Sequence, residues 1–341
     1  MEKRIKILNV LLVLGIVMIL LVFIPLPYYV TKPGLAEPLG PYVNVEGAKK
    51  DDGDFMLTTV SMSKANIYSY IGTYTNSVHH LYKETEILSE GESNDDYQFR
   101  QLRYMEESKQ AAIVNAYKEA GKSYSINKTG VVIISVLKDM PASKVLKLGD
   151  IVTKVGEKEI HSVNDFTKTI SSSPAGTTFQ LSIIRNGKNK KVSISSKQFK
   201  DEPKRFGIGV SIVENIKLST NPKVEIDSEE IGGPSAGLMF ALEIYDQLSE
   251  ENLAKGHEIA GTGTLDTEGV VGPIGGISQK IIAASKAGAE IFFAPNENGK
   301  RNSNYKEAVK TAKEHNVKMK IVPVNTYADA IEYLKNLKSS S

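Results

Sequence analysis

Hydrophobic residues crowd the start of the chain: Ile7 to Leu26 is a run of 20 residues without a charge, in which Asn9 is the only strongly polar member. At 1.5 Å per residue a helix of that length crosses a bilayer core of about 30 Å. Lys3, Arg4 and Lys6 precede the run, and Tyr28-Tyr29 follow Pro25-Leu26-Pro27. Basic residues before and aromatic residues after are the expected flanks of a single span whose following chain lies outside the cytoplasm. A cleaved signal peptide is the competing reading, but bulky, proline-rich residues stand where a small-x-small site would have to be. The pattern predicts a cytoplasmic 1–6, a retained anchor over 7–27, and a bulk facing the outside of the cell.

Downstream the period changes several times. Val30 to Tyr42 carries prolines and glycines and reads as an extended linker. Asp54 to Met62, after the turn residues Lys49-Lys50-Asp51-Asp52-Gly53, has the β-branched and aromatic content of a strand. Asp95 to Ala120 repeats apolar residues at helical spacing, at Phe99, Leu102, Met105, Ala112, Ile113 and Ala116, with Gly121 as its stop. Residues 28–122 thus form a linker, a strand and a packing helix. From 123 to 200 short elements follow: strands at 130–136 and 150–155, helices at 142–148 and 162–171, and a hairpin across Asn186-Gly187-Lys188. Strands and helices alternate from Phe206 onward, with helices at 236–248, 276–287, 304–315 and 327–337. The fold class is α/β or α+β.

Composition removes several function classes. With 42 basic and 40 acidic side chains the net charge is +2, which gives no electrostatic case for nucleic acid. Zero cysteines exclude disulfides, thiol catalysis and cysteine-type zinc sites. His79-His80, His161 and His257 lack metal-ligand spacing, so no metal is expected. Gly121-Lys122-Ser123 has Ala116 where a P-loop needs its first glycine, so no ATP and no other cofactor is expected.

Chemistry concentrates in Gly232-Gly233-Pro234-Ser235-Ala236-Gly237 and Pro273-Ile274-Gly275-Gly276-Ile277-Ser278-Gln279-Lys280. Serine attacks a carbonyl only when a base takes its proton, and lysine is a base only when burial lowers its pKa from about 10.4. Ile277, Ile281 and Ile282 surround Lys280 on a helix, which supplies such burial. A helix beginning beside Ser235 would also present unpaired amides to an oxyanion. Spacing alone leaves a glycine-rich turn and a solvated lysine as the bland alternative.

The two segments resemble the serine and lysine motifs of Lon-type proteases. Thr262-Gly263, Gly269, Val271 and Pro273 to Gly276 fall in family order ahead of Lys280, and the resemblance covers Phe206 to Lys338, giving a Lon-type proteolytic domain at 205–338. It implies Ser235 as nucleophile, Lys280 as base, Thr262 as the hydroxyl orienting the amine, and Gly233 at the substrate; the alternative for Thr262 is a strand threonine satisfying a neighbouring backbone group. Gly232 departs from the pattern of bacterial ATP-dependent Lon, which usually has an acidic residue there, and Ser278-Gln279 replaces a more charged pair. Residues 123–200 resemble a PDZ domain of the secreted-protease type, through Leu148 to Val152 and Gly156 to Ile160. That resemblance implies a peptide-binding strand edge at Val131, Val132 and Ile133, facing Val163, Phe166 and Ile170; the alternative is that these apolar residues are only core. Resemblance to membrane-anchored Lon-like proteins of Gram-positive bacteria further suggests that strand 54–62 joins the distant protease sheet.

The resulting expectation is an ATP-independent serine endopeptidase with a Ser/Lys dyad, held in the membrane by one span and acting on exported peptides or unfolded proteins outside the cytoplasm. The ring assembly of the family leaves homo-oligomerisation open. Two alternatives stand beside it. One is a catalytically inert, membrane-anchored PDZ scaffold. The other is an α/β-hydrolase, since Gly233 to Gly237 also fits G-x-S-x-G; this would need His315 as base and an apolar strand where Asp227-Ser228-Glu229-Glu230 stand.

Overall fold

The computed structural model describes residues 2–48, 52–89, 91–174, 176–200, 202, 204–228 and 231–340; the expected turn residues 49–51 and the acidic pair 229–230 lie outside these. Helix α1 (Glu2–Leu20) and a following 3-10 turn (Leu21–Phe23) carry the apolar run. Helical structure stops two residues before Pro25, which lacks an amide donor and disfavours helical backbone in the residue before it. The apolar helix, Lys3–Phe23, therefore starts and ends a few residues earlier than 7–27.

The expected linker is a strand. Tyr28–Pro38 forms β1, which pairs antiparallel with β2 (Asp54–Lys64). Helix α2 (Ile67–Gly72) leads to β3 (His80–Lys83) on the other side of β1. Pro33 is accommodated where the β1–β2 register shifts, between Pro33 and Ala36. Next come the long helix α3 (Asn94–Glu119), β4 (Ser123–Val136), β5 (Ile151–Val155), α4 (Val163–Ser171), β6 (Thr178–Arg185), β7 (Lys188–Ser195) and β8 (Val210–Asn221). The last third supplies α5 (Gly237–Leu248), β9 (Glu258–Gly261), α6 (Ile277–Lys286), β10 (Ile291–Pro295), α7 (Asn304–Glu314), β11 (Lys320–Val324) and α8 (Tyr327–Lys335).

Two sheets organise these elements. The main sheet has the order β11-β10-β9-β2-β1-β3, with β9, β10 and β11 parallel and β2 parallel to β9. Strand 54–62 thus joins the sheet built by the far end of the chain. Alternation sorts its side chains: Phe55, Leu57, Ile291 and Phe293 pack with α3, α5 and α8, whereas Met56, Phe292 and Ala294 pack with α6 and α7. Three layers result, with a core on each face.

The second sheet has the order β8-β4-β5-β6-β7 and its own core of Val131, Ile133, Val152, Phe166, Leu181 and Ile183. Asp150 is fully buried there, and Arg185 donates to both its oxygens, at 2.6 and 2.5 Å. The β4–β8 ladder continues past this sheet as far as Ser123↔Asn221. Helix α3 lies along it, with Phe99 and Tyr104 against Val132, Ile134 and Val213, and also packs on α5 in the main body.

Because half of the main sheet comes from residues 28–83, a fragment of residues 206–338 exposes the β9 edge and lacks the floor of its core. Such a fragment is expected to show no cooperative thermal transition, while addition of residues 26–88 as a separate polypeptide restores one, as read by circular dichroism.

Candidate active site

Gly276, at φ +73, caps the N-terminus of α6. A Cβ there would stand 2.7 Å from Val60 Cγ2, so the missing side chain lets α6 lie directly on β2. One turn later the Lys280 amide bonds the Gly276 carbonyl at 3.1 Å, and the side chain extends over β2. Its Nζ donates to the Thr58 carbonyl at 2.5 Å and lies 3.0 Å from Ser235 Oγ. Among the described residues no carboxylate forms an ion pair with it. Lys280 is 3 % exposed, and burial alone lowers its pKa to about 7. Near neutrality much of this amine is free to accept the Ser235 proton.

Ser235 sits in the turn ahead of α5, and three neighbours hold that turn. Thr262 Oγ1 and the Gly263 amide both donate to the Ser235 carbonyl, each at 2.9 Å. Ser108 of α3 donates through its hydroxyl to the Pro234 carbonyl at 3.0 Å, and the Gly233 amide donates to the Gln101 carbonyl of α3 at 2.8 Å. Thr262 therefore fixes the serine backbone; the group on the lysine amine is the Thr58 carbonyl. Gly233 adopts φ +91, which only glycine takes without strain, and offers the cavity a surface, its amide being occupied. The amides of Ser235 and Ala236 have no acceptor among the described residues and stand at the positive end of α5.

Both side chains line a cavity of about 1250 Å³, walled by β2 from Leu57 to Met62, by Leu102 and Met105 of α3, and by Thr31 and Leu35 of β1. Strand β9 pairs with β2 only as far as Leu57, so from Thr58 onward the β2 edge away from β1 is open to this cavity. Thr58 directs its carbonyl to that edge, and alternation gives the main-chain groups of Val60 and Met62 the same direction.

The expected peptide edge in the second sheet needs correction. Val131 and Val132 pair with β8 on one side and β5 on the other, and Val131 and Ile133 are fully buried in the core, so 131–133 has no open edge. The open edge is β8, whose start at Val210 and Ile212 packs beside Val163 of α4. His315 does not line the cavity of the serine, whose hydroxyl meets Lys280, and its Nε2 lies 3.4 Å from Ser77 Oγ instead, so it is not the base required by the α/β-hydrolase alternative. Among the described residues no cluster of three or more histidines and carboxylates could hold a metal.

Sequence reasoning found Ser235 and Lys280, which the fold brings together, and missed Thr58, Gln101 and Ser108. Two of those act through main-chain carbonyls, which leave no side-chain signature, and Ser108 is one polar residue among many on α3.

Residues 206–336 match the family model of the Lon protease (S16) C-terminal proteolytic domain. The chain carries a Lon-type proteolytic domain. Residues 99–195 match a PDZ domain model, a stretch that includes most of α3. Over 148 residues the chain is 32 % identical to the Lon protease of Metamycoplasma arthritidis, covering 43 % of this chain and 16 % of that protein. Over 129 residues it is 32 % identical to the Lon protease of Campylobacter jejuni, covering 34 % of this chain and 15 % of that protein. The chain thus spans about a sixth of the length of these relatives. Among solved structures, the PDZ domain of an SdrC-like protein from Listeria monocytogenes is 29 % identical, over 25 % of this chain and 88 % of that domain, with a TM-score of 0.24.

Lysine burial makes stability depend on pH. The folded pKa, about 7, lies below the unfolded value, so the unfolded chain binds more protons between the two and stability rises with pH through that window. Lys280→Met removes the penalty and is expected to raise stability by up to about 4 kcal/mol at pH 7, less the cost of the unpaired Thr58 carbonyl. The gain should shrink toward zero near pH 10, as measured by chemical denaturation of both proteins across pH.

Proposed function

We propose that this protein is an ATP-independent serine endopeptidase in which Ser235 is the nucleophile and Lys280 its base. The observation that carries the reading is the 3.0 Å approach of an amine with a pKa of about 7 to a serine hydroxyl. As Ser235 Oγ bonds to the peptide carbonyl carbon, its proton passes to Lys280 Nζ and the carbonyl π electrons move to oxygen. The amides of Ser235 and Ala236 are the candidate donors to that oxyanion. Lys280 then gives the proton to the departing amine as the C–N bond breaks, leaving an acyl-enzyme. Water, deprotonated by the same amine, attacks the ester and releases the acid. The Thr58 carbonyl stabilises the transient ammonium, and Thr262 keeps Oγ in place through the Ser235 main chain.

The open β2 edge supports an extended peptide as the substrate, added to the sheet beside the dyad so that Val60 and Met62 exchange main-chain hydrogen bonds with it. Such recognition reads backbone, and the apolar wall of Leu102, Met105 and Leu35 favours apolar side chains. The β8 edge beside α4 is a second peptide site that selects or delivers substrate. Helix α1 anchors the enzyme in the cell membrane, with the bulk outside, consistent with the basic residues at its start.

In detergent-solubilised full-length protein, Ser235→Ala and Lys280→Met should each lower kcat/KM for an unstructured fluorogenic peptide by on the order of a thousandfold. Wild-type turnover within twofold of these variants would remove the dyad from the reading. Activity of the wild type should fall as pH drops through about 7, where Lys280 becomes protonated. Thr262→Val should reduce kcat by roughly tenfold, the scale of one lost positioning hydrogen bond, and leave the midpoint of that pH profile in place. Hydrogen exchange with saturating product peptide should slow amides in 210–213 and leave 131–133 unchanged, since the latter are already paired.

A further inference from the structure

Helix α2 follows β2 directly and is fastened to the end of α1. Tyr68 Oη donates to the Met18 carbonyl at 2.5 Å, and Asn66 Nδ2 donates to the Val22 carbonyl at 3.2 Å. These carbonyls belong to the last turns of the apolar helix, where intrahelical partners run out. Asn66 and Ser69 close a capping box on α2, so its start is rigid. The Tyr28, Tyr70 and Tyr74 rings contact one another in sequence, with centroids 5.4 and 5.8 Å apart, extending aromatic surface outward from the point where the chain leaves α1.

What this segment exposes is unusual for a protein surface. Ile71 is 56 % and Tyr74 75 % exposed, continuous with Phe23 at 76 %. From Ala65 to Tyr82 the chain contains no Asp, Glu, Lys or Arg, whereas at its overall charged fraction of 24 % such a stretch would hold about four. Tyrosines with an apolar ring and a polar tip, among apolar residues and with no full charge to desolvate, match the headgroup layer of a bilayer, where one end of each side chain is dry and the other wet. Continuity with the end of α1 selects the occupant: whatever medium surrounds the end of that helix also meets α2.

We propose that α2 and its neighbouring tyrosines form a foot that lies in the lipid headgroup layer beside the anchor, a contact resting on the reading of α1 as a membrane span. The foot holds the main sheet at one tilt to the membrane, because α2 joins β2 at Ala65, whose amide bonds the Tyr28 carbonyl at 2.8 Å and whose carbonyl accepts from Leu26 at 2.8 Å.

The chain has no cysteine, so Ile71→Cys and Tyr74→Cys each give one site for an environment-sensitive nitrobenzoxadiazole label, with Lys147→Cys and Lys310→Cys as labelled controls. In full-length protein reconstituted into phosphatidylethanolamine and phosphatidylglycerol vesicles, labels at 71 and 74 should show blue-shifted emission, quenching by nitroxide-headgroup lipid and loss of quenching by aqueous iodide. Labels at 147 and 310 should be quenched by iodide alone. Iodide quenching at 71 and 74 equal to that of the controls, in protein that resists carbonate extraction, overturns the foot and leaves the anchor. Extraction by carbonate overturns both. Protection from iodide without quenching by nitroxide lipid, lost on dilution of protein in the vesicles, assigns the surface to a second copy and also overturns the foot.

Discussion

One constraint governs this molecule: a lysine side chain is held out of water, and among the described residues its amine has a main-chain carbonyl and a serine hydroxyl as hydrogen-bond partners. An ammonium in that place would be expensive, and with no carboxylate paired to it among the described residues the group loses charge in preference to pairing. Everything close to it follows. Helix α6 must lie hard on β2, which requires glycine at 276; the serine turn must be braced from outside, because its own residues are occupied with turning; and the carbonyl of Thr58 must be free of strand pairing to receive the amine. The end of β9 at Gly261 satisfies the last condition and, in the same step, opens the edge that walls the cavity.

The braces come from three separate parts of the chain. Thr262 and Gly263 hold the Ser235 carbonyl from the end of β9, while Gln101 and Ser108 hold Gly233 and Pro234 from α3. Helix α3 touches the second sheet through Phe99 and Tyr104 on the same turns that carry Gln101 and Ser108. The serine turn and the PDZ sheet are thus both packed on the one helix α3, and the two long strands β4 and β8 run beside it.

How much of this could be read from residues alone depended on which atoms do the work. Helix α3 and the Asn186-Gly187 hairpin were legible because side-chain period and left-handed turn residues are local signals. Ser235 and Lys280 were legible because glycines and a helix-borne lysine occur at a recognisable separation. Strand β1 was not, since Pro33, Gly34 and Pro38 imitate a loop; Pro33 is tolerated because it stands at a register shift. The far ends of β4 and β8 were hard to read for another reason: between Ser123 and Lys128 only Tyr124 and Ile126 alternate with polar residues, Ile126 is itself exposed, and so short a pattern carries little burial signal. The mistaken peptide edge at 131–133 came from the same source. An apolar run announces burial in a sheet but not which neighbour covers each side, and the strand that occupies one side, β8, lies about 80 residues later in the chain.

The bond between Lys280 and Thr58 spans 222 residues of sequence, which sets a timetable for the emerging polypeptide. During synthesis β1 and β2 are made first and wait with an unfilled border, while the amine, once translated, stays hydrated and charged until α6 settles onto that border. A half-finished chain has neither this amine nor the pocket that would hold it uncharged. The meeting of amine and hydroxyl waits on chain made long after the border that receives it.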